Sequence, residues 1–145
     1  MHISSRSAWN WKEITHFLND TVVPCRFSCL TPEGFPHVTS LWFLLVDQTL
    51  LFSVQKNMAL NRWLADSPKC GFEVAPDAPP YRGVRGRGTG HVYPAEDGVL
   101  KAMIDRYIDD ANGGLAKWLL SRHESELTIR LQLEWLTSWD YGARM

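Results

Sequence analysis

The sequence is short of long apolar runs and of excess charge, and each shortage narrows the possible functions. Its longest apolar run, residues 41–46, has the length of a strand and is far below the roughly 18 residues that a membrane-spanning helix needs. The first 20 residues carry four charged side chains, so we expect no secretory signal and a cytoplasmic location. A net charge of −1 provides no basic field, which argues against a nucleic-acid partner.

Cysteine is scarce as well, with Cys25, Cys29 and Cys70 as the full set. An odd number without a secretory signal is typical of free thiols in a reducing compartment. Cys25 and Cys29 stand four residues apart on a segment predicted to be extended, which is too far for both to hold one metal ion. No CxxC or HxxxH pattern is present. We therefore predict structural thiols and no metal site.

Motifs for the commonest catalytic classes are also missing. The sequence has no GxSxG and no Walker or Rossmann signature, and its histidines have no nucleophile at an informative spacing. Residues 85–90 contain the letters GxGxG, but no helix pattern follows them, so they do not fit a dinucleotide-binding turn. Asp109 and Asp110 fall at a predicted helix end, where solvation is the simpler role. No catalytic residue is identified from the sequence.

What the chain does have is the composition of one folded domain, which we assign to residues 1–145. It has 145 residues, of which 45% are hydrophobic and 21% charged, enough for a core and too few charges for wholesale disorder. Seven tryptophans are many for this length. They are expected either to fill the core or to cover a ligand or a partner surface.

Periodicity of the apolar residues predicts an α+β domain that is mainly β. Helices are predicted over 8–19, from an N-cap at Asn57 to Ser67, from Pro94 to Gly113, and over 115–121. Strands are predicted over 25–30, 35–46, 49–54, 69–75, 84–93, 127–135 and 138–141, the first three as an antiparallel meander. Six or seven short antiparallel strands with inserted helices favour a closed or partly open barrel.

Two local features indicate where a ligand could bind. Four glycines between 83 and 90 lie in a predicted strand, so either the strand coils at a barrel corner or something approaches its backbone closely. The strand predicted over 49–54 presents the Ser53 hydroxyl near its end and is followed by Lys56 and a predicted helix N-terminus at Asn57, with Arg62 one turn into the helix. This junction could hold an anion, although an ordinary capped helix with solvated charges explains it as well.

Four segments of the chain carry information through their order and spacing, although no one of them is a specific motif. They are GFPHVTSLWFLLVDQTLLFSV, ALNRWLADSPKCGFEV, PPYRGVRGRGTGHV and RLQLEWLTSWDYG. In that order they resemble the pyridoxamine 5′-phosphate oxidase-like family of FMN-binding split barrels, over about residues 10–142. The resemblance implies a homodimeric, six- to seven-stranded antiparallel split β-barrel with flanking helices. It also implies that one FMN lies in each of two clefts at the dimer interface, with the related deazaflavin F420 as an alternative cofactor.

Matching positions in the family imply the cofactor-binding residues. The strand along the flavin ring and the returning strand beside it correspond to Val38, Thr39, Ser40, Leu41, Trp42, Ser53 and Val54. The phosphate end, a third strand and the mouth of the cleft correspond to Lys56, Asn57, Arg62, Arg82, Arg85, Gly88 and Trp139.

The chain departs from the oxidases of this family at three contact positions. Thr39 replaces an arginine, Ala59 a lysine and Gly83 a glutamine, and the C-terminal Arg-x-His that grips pyridoxamine phosphate is missing. We therefore expect no true pyridoxamine phosphate oxidase activity. The resemblance leaves two functions open: a flavin-dependent oxidoreductase acting on a small molecule, or a non-catalytic protein that binds flavin, F420 or haem.

Overall fold

A computed structural model describes residues 1–145 and shows helices packed around one mainly antiparallel sheet of eight strands. The helices are α1 (Trp11–Asp20), α2 (Leu60–Asp66), α3 (Val99–Tyr107) and α4 (Gly114–Ser121), with single 3₁₀ turns at His123–Ser125 and Gly142–Arg144. The strands are β1 (His2–Ile3), β2 (Cys25–Leu30), β3 (Pro36–Leu41), β4 (Leu44–Val46), β5 (Thr49–Gln55), β6 (Lys69–Val74), β7 (Arg82–Pro94) and β8 (Glu126–Asp140). None of the helices combines the length and the apolar character needed to cross a bilayer.

The strands are ordered β3-β2-β6-β7-β8-β5-β4 across the sheet, and the two-residue β1 adds a parallel pairing with β8. β3 and β4 lie at opposite ends of this order and are not paired, so the sheet curls into a barrel that is not closed. Both antiparallel pairings of the predicted meander are present, β2 with β3 and β4 with β5, but the three strands are not neighbours in the sheet, because β3 and β4 lie at its opposite ends.

The chain crosses between the two ends of the sheet at Trp42 and Phe43. This crossing divides the single strand predicted over 35–46 into β3 and β4. The Phe43 side chain is fully buried, and its backbone N–H donates to the Tyr107 hydroxyl at 3.3 Å. A helix distant in sequence thus supplies the hydrogen bond that a continuous ladder would have given.

A β-bulge in β8 decides which tryptophans face outward. Leu133 pairs with Gly88 and Trp135 pairs with Arg87, so Glu134 is the extra residue. The alternation of side chains shifts by one residue at a bulge. Up to Leu133 the odd residues of β8 point into the barrel, whereas beyond the bulge Leu136 and Ser138 are the buried ones. Trp135, which an unbroken alternation would place inside with Leu131 and Leu133, is instead turned to the outside.

The core lies inside the barrel and beneath α1 and α2, where 19 buried side chains form one cluster. Phe27 and Phe52 meet edge to face at its centre, 5.1 Å between ring centroids. None of the seven tryptophans belongs to the fully buried set, and Trp118 on α4 is 53% exposed. The tryptophans therefore lie around the core and on the outer faces of the protein, and none of them fills its centre.

Helix α1 is fixed at both ends by side chains. At its start, Asn10 accepts a hydrogen bond from the Glu13 backbone while the Glu13 carboxylate accepts one from the Asn10 N–H, which is a capping box. At its end, the Arg106 guanidinium of α3 donates to the carbonyls of Leu18, Asn19 and Thr21 at 2.7–3.0 Å. Arg106 therefore holds α3 against the C-terminus of α1.

Candidate functional site

The outward face of the sheet carries an open groove that runs across β3, β2, β6, β7 and β8. Its volume is about 420 Å³, within the range of about 300–1,000 Å³ that ligand pockets occupy. We call it the sheet groove and define it by the side chains that carry its chemistry: Arg26, Val38, Glu73, Arg85, Arg87 and Trp135.

The register of the strands brings these side chains together. Arg26 is paired with both Ser40 of β3 and Glu73 of β6, and Glu73 is paired in turn with Arg85 of β7. Directly opposed residues of an antiparallel ladder point to the same face. The Arg85 Nε lies 3.6 Å from the Glu73 carboxylate, and the Arg26 Nη1 donates to the Ser40 hydroxyl at 3.3 Å. With Arg87, three arginines line the groove beside the Glu73 carboxylate, and the Arg26 Nη2 also lies 4.0 Å from the carboxylate of Asp77.

Two of these arginines lie over tryptophan rings. The Arg85 guanidinium carbon is 4.2 Å from the Trp139 ring centroid, and that of Arg87 is 5.3 Å from the Trp135 centroid. Such cation–π contacts restrict a guanidinium to the plane over the ring. Its N–H edges remain able to donate to an anion, and flat fork geometry suits phosphate and carboxylate groups.

Four of the predicted cofactor residues lie at or beside the sheet groove. Val38 and Arg85 line it, Ser40 contacts Arg26, and Trp139 lies beneath Arg85. The Trp139 ring explains why glycine stands at position 83, where the oxidases have glutamine, because a Cβ at this position would come within 2.6 Å of the ring. The ring occupies the space that a larger residue would need.

Three other predicted residues lie on the inner side of the sheet. Thr39 is paired with the core residue Phe27, Leu41 packs against the core, and Val54 is buried. Trp42 belongs to the crossing between β3 and β4, where its ring stacks on Tyr107 with an interplanar angle of 2° and 5.0 Å between centroids. Burial raises the pKa of the Tyr107 hydroxyl above its ordinary value.

The residues of the junction after β5 take part in local polar contacts. Ser53 donates to the Glu126 carboxylate at 3.1 Å, so its hydroxyl faces an anion. Asn57 caps no helix, because α2 begins at Leu60 without a side-chain cap. Asn61 instead ties the turn together by donating to the Gln55 carbonyl at 2.9 Å. Lys56 is exposed at the rim of a separate pocket that Glu126 also lines.

The remaining three predicted residues lie apart from the groove. Arg62 is exposed on α2, and Arg82 lines a cleft of about 670 Å³ beside α1. A Cβ on Gly88 would come within 1.9 Å of the Gln132 carbonyl oxygen, so the approach of β8 itself explains this glycine. The glycine-rich run thus fits the second of the two interpretations, and what approaches its backbone closely is the neighbouring strand β8.

Sequence reasoning missed four of the six residues that define the groove: Arg26, Glu73, Arg87 and Trp135. The polar residues of β2 alternate with its core residues, and this pattern could have placed Arg26 on the outer face. The position of Trp135 depends on the bulge at Glu134, for which the sequence has no signal. Glu126, at the start of β8, was missed as well.

The three cysteines are free and buried, as predicted for structural thiols. Burial raises the pKa of all three, that of Cys70 to about 12, so they remain protonated at neutral pH. A protonated thiol is a poor nucleophile and a poor metal ligand. No three His, Cys, Asp or Glu side chains lie together in a geometry that would hold a metal ion.

Comparisons with known proteins identify the fold. No protein-family model and no curated protein sequence matches the chain. Among solved structures, a conserved hypothetical protein from Mycobacterium tuberculosis superposes with a TM-score of 0.79 at 18% identity, over 97% of this chain and 91% of its own. An F420 reductase matches with a TM-score of 0.66 at 18% identity, over 83% and 93%. A candidate pyridoxamine 5′-phosphate oxidase from Listeria innocua matches with a TM-score of 0.63 at 15% identity, over 90% and 97%.

At such identities the likeness establishes architecture alone. The order of the strands, the open barrel and these superpositions agree with the fold predicted from the sequence, with one short strand more than the six or seven expected. The chain has the split-barrel fold of pyridoxamine 5′-phosphate oxidase-like proteins.

Proposed function

We propose that the chain is a flavin-dependent oxidoreductase that binds FMN in the sheet groove, between two copies of itself, and acts on a small molecule. The observation that carries this proposal is the set of three arginines, two of them laid over tryptophan rings, in one groove of suitable volume. A flavin supplies hydride or electron transfer when it is bound, and the protein binds, orients and tunes it.

The chemistry of the groove fits both parts of FMN. Arg26, Arg85 and Arg87 are donors for a phosphate dianion, which guanidinium forks bind well. The ring is flat and aromatic and can stack on tryptophan or guanidinium planes. Glu73 restrains Arg85 by an ion pair at 3.6 Å, which orders the donor before the ligand arrives. F420 carries a longer and more acidic tail, and a groove with a carboxylate at its centre suits it less.

A second copy of the chain completes this site. The sheet groove is open, and Val38 on its wall is 63% exposed. A two-fold partner would cover the groove and bring a second set of the same residues opposite the first. We therefore propose a homodimer with the cofactor at its interface.

The neighbours in structure support a redox role. One is an F420 reductase and another is a candidate pyridoxamine 5′-phosphate oxidase. We do not propose the second activity for this chain, because Thr39 points to the barrel interior and Ala59 has no charge. Groove residues take over the cationic role that those two positions have in the oxidases.

FMN titration of variants tests the location of the site. Arg85→Ala should raise the Kd for FMN by about 10- to 100-fold, the loss of a hydrogen bond to a charged group. Arg6→Ala, at an exposed position far from Arg85 in the sequence, is the matched control, and its Kd for FMN should stay within about twofold of the wild-type value. If Arg62→Ala weakens binding while Arg85→Ala does not, the phosphate lies at the junction and the groove assignment is wrong. A stable monomer with FMN bound, seen by light scattering, would reject the shared site.

A further inference from the structure

Glu126 is the only charged side chain in the buried set, with 7% of its surface exposed. Its Oε2 accepts from the Ser53 hydroxyl at 3.1 Å, and its Oε1 accepts from the Gln55 side-chain amide. Both donors are uncharged. No lysine, arginine or histidine nitrogen of the chain lies within 4.0 Å of the carboxylate. A buried carboxylate without a counter-ion is unfavourable for folding, so this residue calls for another explanation.

A polar network holds this carboxylate in place. The side-chain Oε1 of Gln55 accepts from the Arg122 Nη2 at 2.8 Å and from the Ser125 hydroxyl at 3.0 Å. These two donors fix the orientation of the amide, so that its NH₂ group faces Glu126. Each carboxylate oxygen accepts one hydrogen bond from the chain and retains the capacity for another.

The carboxylate lines a surface pocket of about 440 Å³, separate from the sheet groove. Pro94 and Leu127 form apolar walls of this pocket, and Lys56 and His123 also line it. An apolar wall beside one ordered acceptor is the usual composition of a small-molecule site. Glutamine at position 126 could keep both hydrogen bonds, accepting from Gln55 and donating to Ser53. The charge is therefore the property that the local fold does not require.

We propose that this pocket binds the ammonium group of a small primary amine, with Glu126 as its counter-ion. An ammonium group donates to the free acceptor positions of both carboxylate oxygens, and a short alkyl chain packs against Pro94 and Leu127. The same carboxylate would repel a phosphate group placed beside Ser53. The inference is independent of the proposed cofactor, because the two sites share no residue.

The test uses n-butylammonium chloride as the probe and n-butanol as its uncharged counterpart, added to the full chain at neutral pH. The Gln55 side-chain amide, which donates to Glu126, is the reporter in a ¹⁵N–¹H correlation spectrum. The ammonium probe should shift this signal in a saturable way, with a Kd in the millimolar range, and n-butanol should not. No saturation up to about 100 mM, or equal shifts from both probes, would overturn the proposal.

Variants give a second comparison. Glu126→Gln should weaken butylammonium binding by roughly tenfold or more, since a charge-assisted hydrogen bond is lost. Glu33→Gln removes an exposed carboxylate that does not line the pocket and should leave the Kd within about twofold. Unchanged affinity in a folded Glu126→Gln protein would reject the role of this residue. The comparison of n-butylammonium with n-butanol uses the wild-type protein, so it tests the proposed ammonium site even if Glu126→Gln does not fold.

Discussion

Replacing Arg106 tests whether the contact between α3 and α1 stabilises the fold. The guanidinium donates to three carbonyls at the end of α1, those of Leu18, Asn19 and Thr21, and its carbon lies 4.8 Å from the Phe43 ring centroid. α1 has no basic residue in its own last turn, so Arg106 is the cation that its C-terminus receives. The variant Arg106→Ala removes all of these contacts together.

The magnitude follows from the kinds of bond that are lost. A hydrogen bond from a charged donor contributes about 1.5–3 kcal/mol when it is well sheltered. Arg106 is half-buried, and water can replace it at carbonyls near a helix end, so the three bonds do not add. A helix-terminal cation contributes up to about 2 kcal/mol. We therefore expect a loss of about 2–3 kcal/mol, or roughly 4–12 °C in Tm for a chain of this size.

Urea and thermal unfolding, followed by circular dichroism, measure this loss. Arg106→Lys keeps the charge but not the fork, and should recover less than half of it. Arg62→Ala, at an exposed position on α2, is the control and should change stability by less than about 0.5 kcal/mol. If Arg106→Ala costs no more than this control, or if lysine replaces arginine without loss, the three-carbonyl contact does not stabilise the protein and the reasoning fails.

Two further predictions concern β7 and β8. Gly88→Ala places a Cβ 1.9 Å from a carbonyl oxygen of β8 and should destabilise the chain by about 3 kcal/mol or more. Gly114→Ala is the control, because open space surrounds that position, and it should leave the stability unchanged. Urea unfolding midpoints compare the two variants, and equal midpoints would contradict the packing of β7 against β8. The Arg130 guanidinium beside Glu96 lowers the pKa of that carboxyl below its ordinary 4.5. A lowered pKa stabilises the fold above the unfolded pKa, and this stability is lost as the pH falls through the folded pKa. Glu96→Gln should therefore lower stability at neutral pH and lose this disadvantage in acid, and a difference that stays constant with pH would refute the assignment.

Local patterns predicted most of the elements because local chemistry forms them. The strand at 25–30 was predicted with its observed bounds, since Pro24 precedes it and a turn with Gly34 at a φ of 84° follows it. The errors in the predicted elements occur where contacts with residues distant in the sequence determine the local structure. The run from 35 to 46 is rich in β-branched and aromatic residues, and nothing within it shows that the strand must break at Phe43. That break depends on Tyr107, which is 64 residues away.

The same reasoning explains which site residues could be foreseen. Val38, Ser40 and Arg85 come together because strand alternation, a local property, places them on the outer face, whereas Trp139, like Trp135, reaches that face through the bulge at Glu134. Trp135 could not be foreseen, because a bulge in β8 reverses the alternation. Glu126 stands in the sequence like the exposed charges that follow it in β8. Its burial depends on the side chains of Ser53 and Gln55 in a paired strand.

The visible absorption spectrum of the purified protein, after incubation with FMN and removal of the excess, tests the central claim most directly. The account predicts that flavin bands stay with the wild-type protein at about one flavin per chain, and that Arg85→Ala largely loses them under the same washing. A colourless wild-type protein that retains no FMN would contradict the flavin site and the oxidoreductase function that depends on it.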